Sequence, residues 1–554
     1  MDNRIAIIGL DGATFDLLTP WMDEGILTNL ARFRERAVRC VLTSTIPPTT
    51  PPAWTTCFTG LNPGRHGIFD FTESPLVDSD RPLISSGHAR GARIWQIIGS
   101  FGKRSIVVNV PMTYPPEPIL GDMISGMLAP GFESEFTYPA SLKHEIKAVC
   151  GHYIPNLDVP RYDPADHASL FRFLDDLREC TDRRIEAIRR LMTTRDWSFF
   201  FGVFIGMDRI QHLLFKYLDP RNPTPEAGIA KLRHRAIEEY QRIDRAVGEI
   251  IERAGEETAI WIVSDHGFGA TQSYFNANAW LMDQGFLHVH PLPYLRKRIF
   301  HLAMALDESP LFRRIFPRKL SKLLRHRIRA SRSTAHSARA DLDRVIDWNR
   351  TQAYFASIPT QGIYIHESAP GMTQQKMIGL KRDIRTRLEE LTDPVTGERI
   401  TDAVWFREDI YEGSETYRAP HIVFQMKRYA ILGRQHLGTG SWFSSCDHLP
   451  IGFHRPEGIL MAAGPGFLPG SRDDIQMRDI LPSVLYSAGL PIPDGCDGTV
   501  RQELFHPDFV HARPVRSADF SNLAAPRDLT SPSAYSADEV ESVSKRLKNL
   551  GYLE

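Results

Sequence analysis

Three short apolar runs, each delivering an acidic group where it ends, constrain the fold of this chain more than any other feature. Arg4 to Leu10 runs into Gly9-Leu10-Asp11-Gly12. Phe199 to Ile205 delivers Gly206-Met207-Asp208-Arg209-Ile210-Gln211-His212, and Ala259 to Val263 delivers Ser264-Asp265-His266-Gly267. Apolar runs this short and this continuous read as parallel strands buried on both faces. Open α/β sheets bind ligands at the carboxyl ends of such strands. If the chain turns helical after Ile205, Asp208 and His212 share a helix face and can converge on one metal ion. Each motif also has a plain structural reading. Asp11 could be a turn aspartate, and Asp208 with His212 a helical ion pair. Three such ends in one chain point together to a dinuclear metal site.

A hydroxyl nucleophile is available in Thr45–Phe71, TIPPTTPPAWTTCFTGLNPGRHGIFDF. Thr50 precedes Pro51-Pro52-Ala53-Trp54, a pattern that predicts Thr50 as the N-cap of a helix with proline in its first turn. Its hydroxyl would then face the positive helix end, with Ala53 as the first nearby N–H donor. An ordinary capped surface helix is the alternative. Thr49 is the nearest rival for the nucleophile.

The rest of the chain reads as an α/β protein. A helix is predicted over 14–37, a helix–turn–strand unit over 94–110, and helices over 168–191 and 231–254. Arg296 to Arg339 carries thirteen Lys and Arg against two acids, Asp307 and Glu308. With its apolar stripe this basic island reads as a helical cap, placed at 286–345 between core segments 1–285 and 346–504. It offers either a solvated face, an anion-binding lid or a contact for an anionic membrane surface. Near the end of the core, His454 in Gly452-Phe453-His454-Arg455 and His448 in Cys446-Asp447-His448 compete as the last metal ligand. Residues 505–536, rich in Pro, Ser and Ala, read as a linker within a 505–554 tail. A final amphipathic helix follows over 537–550, stopped by Gly551.

Over the 554 residues, 66 basic residues nearly balance 67 acidic ones, so net charge gives no reason to expect nucleic acid. Oligomeric state is left open. Six scattered cysteines without a CxxC pair suggest a reducing compartment. The first residues lack a basic-then-apolar targeting pattern, and no uncharged apolar run approaches the ~18 residues of a membrane span. A cytoplasmic protein is expected.

With GLDG, TTPPAWTTCFTGLNPGRHGIFDF, GMDRIQH, VSDHGFG and GFHRPEGILMAAGPGF in order, the chain resembles the alkaline phosphatase superfamily, and within it the type I phosphodiesterase/nucleotide pyrophosphatase group. The resemblance implies an alkaline-phosphatase-like α/β fold: a mixed central sheet flanked by helices, with the helical cap inserted. It also implies two divalent ions, usually zinc with manganese as an alternative, around a Thr nucleophile. Asp11, Asp265 and His266 would hold one ion together with the Thr50 oxygen, and Asp208, His212 and His454 the other. A phospho-threonine intermediate and its hydrolysis would follow. Two positions depart from the pyrophosphatases. Pro51-Pro52-Ala53 stands where they commonly have Phe-Pro-Asn, and Phe71, beside Asp70, where they carry a phosphoryl-contacting Asn.

The expected function is metal-dependent hydrolysis of a small anionic phosphoric ester, with a phosphodiester or pyrophosphate favoured. Phosphomonoester hydrolysis, phosphoryl transfer resembling that of phosphoglycerate mutase, or a low-turnover anion-binding protein with a basic docking lid are the alternatives.

Overall fold

The computed structural model describes residues 4–73, 82–157, 162–222, 226–291, 294, 345–394, 396–437, 441–523 and 534–549. The basic island from Arg296 to Arg339, almost all of the proposed cap and the terminal Gly551 lie outside the described residues.

A ten-stranded mixed sheet forms the centre. Its strands in chain order are β1 (Ile5–Leu10), β2 (Val38–Thr43), β3 (Ser105–Val108), β4 (Gly121–Ile124), β5 (Thr137–Tyr138), β6 (Phe199–Phe204) and β7 (Ala259–Val263), followed by Glu457–Ala463, Gly470–Ser471 and Ile475–Gln476. The strand β1 lies between β6 and β7, parallel to both, and every residue of the three is buried. This two-sided burial explains their unbroken apolar sequences. In register, Leu10 sits beside Phe204 and Gly9 beside Val263, so the chain leaves all three strands at one edge. Glu457–Ala463 runs antiparallel between β7 and β2. Its beginning therefore lies at that same edge, and so does the end of β2, from which the chain continues to Thr50.

Helices His167–Thr194 and Ala227–Ala254 pack on this sheet through buried faces that include Phe173, Leu177, Ile188, Ile243, Val247 and Ile250. The helix predicted over 14–37 is two helices, Phe15–Asp23 and Thr28–Arg36. Gly25 breaks them apart with φ +72°, a left-handed conformation that glycine adopts without a Cβ penalty.

Between residues 273 and 445 lies a second, seven-stranded sheet with its own apolar core around Phe275, Trp280, Phe355, Ile363, Ile384, Ile422 and Phe424. The stretch 346–504 thus divides more finely than its sequence indicates. Its strands up to Ile431–Arg434 and Phe443–Ser445 belong to the second sheet, and Glu457–Ala463 returns to the first. Residues 505–523 pack on the main core rather than spanning open solvent: Phe505 is buried against Trp261 and Phe467, and Ser517–Ala518 pairs with Ile492–Pro493. The helix Ala537–Asn549 buries Val543 and Leu547, and the Arg546 guanidinium donates to the Ala129 and Pro130 carbonyls. Among the described residues no helix is long and apolar enough to cross a membrane.

Candidate metal centre and active site

Asp11, Asp208, Asp265, His212, His266 and His454 come together at the edge where β1, β6 and β7 end, and all six are buried. Gly12 is the knot between the three strand ends. Its N–H donates to Asp265 Oδ1 at 3.2 Å, and its carbonyl accepts from Gln211 Nε2 at 2.8 Å. Its φ is +70°, and a Cβ there would lie 3.0 Å from the Asp208 Cα, so both conformation and space require glycine.

Asp208 and His212 lie one turn apart on the helix Gly206–Leu218, which begins where β6 ends. Asp208 Oδ1 is 3.4 Å from His212 Nε2, 3.3 Å from His454 Nε2 and 4.0 Å from His266 Nε2. The imidazoles converge too: His454 Nε2 lies 3.2 Å from His212 Nε2, and the His266 and His454 rings stack with centroids 3.6 Å apart. Phe268 packs edge-on to His212 and His454 and so supports both rings. His454 belongs to the strand Gly452–Arg455, which pairs with Gly267–Ala270 immediately after His266. Its Nδ1 donates to the Pro48 carbonyl at 2.8 Å, leaving Nε2 for the cluster. The rival His448 is exposed in a turn closed by the bond from Leu449 N–H to the Cys446 carbonyl.

Around His266 the second group assembles. His266 Nε2 is 3.1 Å from Asp265 Oδ2 and 3.8 Å from Asp11 Oδ1, while Nδ1 donates to the Gly267 carbonyl at 3.1 Å. Thr50 Oγ1 lies 3.3 Å from the same His266 Nε2. The helix carrying it spans Thr50–Thr59, and its cap residue is Thr49 rather than the predicted Thr50, because the first helical bond joins Ala53 N–H to the Thr49 carbonyl. Thr50 therefore occupies the first turn with Pro51 and Pro52 behind it. The Thr49 hydroxyl caps nothing and donates to the Pro359 carbonyl at 3.0 Å.

Among the described residues, Asp208 with His266 and His454, and Asp11 with Asp265 and His266, form two sets of ligand atoms close enough to share an ion, and His212 adjoins the first. The protonation chemistry agrees with a cation at this edge. Burial, then the neighbouring Asp208, pushes Asp11 up to about 8. Burial together with Asp11 and Asp208 raises Asp265 well above the usual carboxylate range. Burial also raises Asp208, but His212 and Arg209 outweigh it and hold that group well below the usual range. Burial lowers both His266 and His454, the latter to about 4, so both stay neutral and keep a lone pair for a metal. Asp208 Oδ1 and Asp265 Oδ2 are buried without a hydrogen-bond donor. Orphaned carboxylate oxygens facing neutral imidazoles fit divalent cations.

The model of the family described as type I phosphodiesterase/nucleotide pyrophosphatase matches residues 5–436, most of the chain. The chain belongs to this family. It is accordingly a phosphoric-ester hydrolase of phosphodiesterase/pyrophosphatase type, in a metal-dependent family, and its buried Asp and His clusters could hold a metal ion. Phosphonoacetate hydrolase from Sinorhizobium meliloti 1021, solved with phosphonoacetate, is similar in fold: TM-score 0.50 and 14% identity, covering 88% of this chain and 96% of that one. An inactive variant of murine ectonucleotide pyrophosphatase/phosphodiesterase 5, solved with AMP, aligns with TM-score 0.47 and 12% identity over 91% of this chain and 100% of that one. No curated protein sequence matched. The mixed α/β architecture is thus the alkaline-phosphatase-like one that the motifs imply.

Sequence reading missed the side chains that hold these three aspartates through their carboxylates or backbone. Trp54 Nε1 donates to Asp11 Oδ2 at 3.0 Å, Arg209 Nη1 to Asp208 Oδ2 at 2.5 Å, and the Ser44 hydroxyl to the Asp265 carbonyl at 2.5 Å. For two of them the sequence offers only a position that becomes telling once burial is known. Trp54 stands one helical turn from Thr50, and Arg209 is a cation beside Asp208 within a buried stretch.

Proposed function

We propose that the protein hydrolyses small anionic phosphoric esters, phosphodiesters or pyrophosphates in preference to monoesters, with Thr50 as nucleophile. The observation that carries this reading is the Thr50 hydroxyl, 1% exposed, 3.3 Å from His266 Nε2 at the meeting point of the two ligand groups. Asp11, Asp265 and His266 would hold one divalent ion with the Thr50 oxygen, and Asp208, His212 and His454 a second, zinc or manganese in each. Bound there, such ions would lower the pKa of the hydroxyl and neutralise the phosphoryl oxygens.

The chain's own residues do the rest. Thr50 Oγ1 gives up its proton to water and attacks phosphorus in line; as the Oγ1–P bond forms, the P–O bond to the leaving group breaks, and that oxygen departs as phosphate product or takes a proton from water to leave as the alcohol. A phospho-threonine remains, and water cleaves it to restore the hydroxyl. Burial excludes bulk solvent from this edge and strengthens each electrostatic contact made to the transferring group. Six free thiols support a reducing compartment such as the cytoplasm.

Metal-replete protein assayed side by side on bis-p-nitrophenyl phosphate and p-nitrophenyl phosphate tests the substrate class. Faster turnover of the diester is expected. Preference for the monoester would move the assignment to phosphomonoester chemistry, and inactivity on a broad ester panel would favour an anion-binding role.

A further inference from the structure

Each of the three carboxylates at the sheet edge has one oxygen tied to a dedicated donor, and the donors differ in kind. Asp265 Oδ1 accepts a backbone N–H from Gly12, Asp11 Oδ2 an indole N–H from Trp54, and Asp208 Oδ2 a guanidinium N–H from Arg209. Only Asp208 is held by a cation. Arg209 and Asp208 are both buried, at 2% and 0% exposure, and their contact of 2.5 Å is a charge-assisted bond in a solvent-free setting. With Oδ2 committed to Arg209, the other oxygen, Oδ1, is the one that faces His212, His454 and His266 and has no donor of its own.

We propose that Arg209 is a positioning residue that locks the Asp208 carboxylate so that a single oxygen, Oδ1, is presented to a divalent ion held with His212 and His454. This rests on the reading of Asp208 as a metal ligand. The assignment separates the two ion sites chemically. Asp11 and Asp265 give their site two carboxylates held by neutral donors. The Asp208 site has one carboxylate, and Arg209 offsets its charge. Orientation, rather than accumulated negative charge, then has to supply affinity there. Loss of Arg209 frees the carboxylate to rotate and to share both oxygens with neighbouring groups, which costs more than the removal of a nearby positive charge returns. Partners that orient a metal ligand are typically worth about 10–100-fold in metal affinity.

The test uses full-length protein stripped with a chelator and titrated with Co²⁺, followed by visible absorption and by metal analysis after gel filtration. Wild type should take two equivalents. Arg209→Met should take one with wild-type affinity and bind the second about 10–100-fold more weakly, with an altered spectrum for that ion alone. Arg209→Lys, which keeps a buried positive charge for folding, should fall between the two. Two equivalents bound by Arg209→Met with wild-type or tighter affinity and an unchanged spectrum would overturn the proposal. If the Met variant does not fold, the Lys variant decides, and wild-type affinity and spectrum at both sites would overturn it. A wild type that takes up no ion would instead remove the metal reading beneath it, a separate and distinguishable result.

Discussion

The two sheets of this protein bury their side chains for different ends. At the edge of the main sheet, parallel strands covered on both faces deliver charged residues into a dry interior, where three carboxylates and three imidazoles share a space of a few ångströms. The second sheet is mostly antiparallel, and its centre is apolar: Phe275, Phe355 and Phe424 pack ring against ring. None of the proposed ligands lies on it. Polar burial of the first kind costs stability unless a cation compensates it, whereas apolar burial of the second kind stabilises outright. The comparison teaches that chemistry is concentrated where the fold tolerates electrostatic strain, and shape is maintained elsewhere.

The sharpest way to break this contrast is to remove the nucleophile. Thr50→Ala should lower turnover by at least about 10⁴-fold while both ions stay bound, since six protein ligands remain. Thr49→Ala, whose hydroxyl is committed to the Pro359 carbonyl, should retain activity within about tenfold, as expected for a lost local hydrogen bond. Steady-state kinetics on a p-nitrophenyl ester reads both.

Metal analysis of single-ligand variants comes next. Asp265→Asn or Asp11→Asn should empty mainly one site, and Asp208→Asn or His212→Ala mainly the other. His266 lies within reach of both ligand groups, so His266→Ala should weaken both ions. His454→Ala should lose an ion and the exposed His448→Ala none. Equal metal content in those last two variants would remove His454 from the ligand set.

On the other side of the comparison, Phe424→Ala in the second core should destabilise the protein by about 3–5 kcal/mol, through lost burial and the cavity left behind. Thermal melting measures this, and the metal content of the folded variant should stay at the wild-type value. A smaller loss is expected of Trp54→Phe. It keeps an aromatic ring over Gly9, where a Cβ would lie 2.5 Å from the indole, but deletes the donor to Asp11. Metal affinity should fall roughly tenfold.

Much of the main-sheet edge was legible because its signals are local. The runs 5–10, 199–204 and 259–263 carry their own evidence of two-sided burial, and each acidic residue follows within a few positions. The four-residue spacing of Asp208 and His212 needed only a helix, which is present. The second sheet was not legible as a unit, since Ser273–Asn276 pairs with Ile431–Arg434, a partner more than 150 residues away that no local pattern specifies. The helix start was misplaced by one residue because Thr49 and Thr50 both satisfy the capping preference. The tertiary bond from the Thr49 hydroxyl to Pro359 is invisible in the sequence. The donors Trp54 and Arg209 escaped notice for a related reason: a tryptophan near a helix start or an arginine beside an aspartate is ordinary until burial is known.

Central to the whole account is a covalent intermediate on Thr50. Acid-quenching the metal-replete enzyme during turnover of a p-nitrophenyl ester, digesting it and sequencing the Thr45–Phe71 region by mass spectrometry tests that directly. A phosphoryl adduct on Thr50, absent from Thr50→Ala, is the predicted result. An adduct on Thr49, or turnover continuing undiminished in Thr50→Ala, would contradict it.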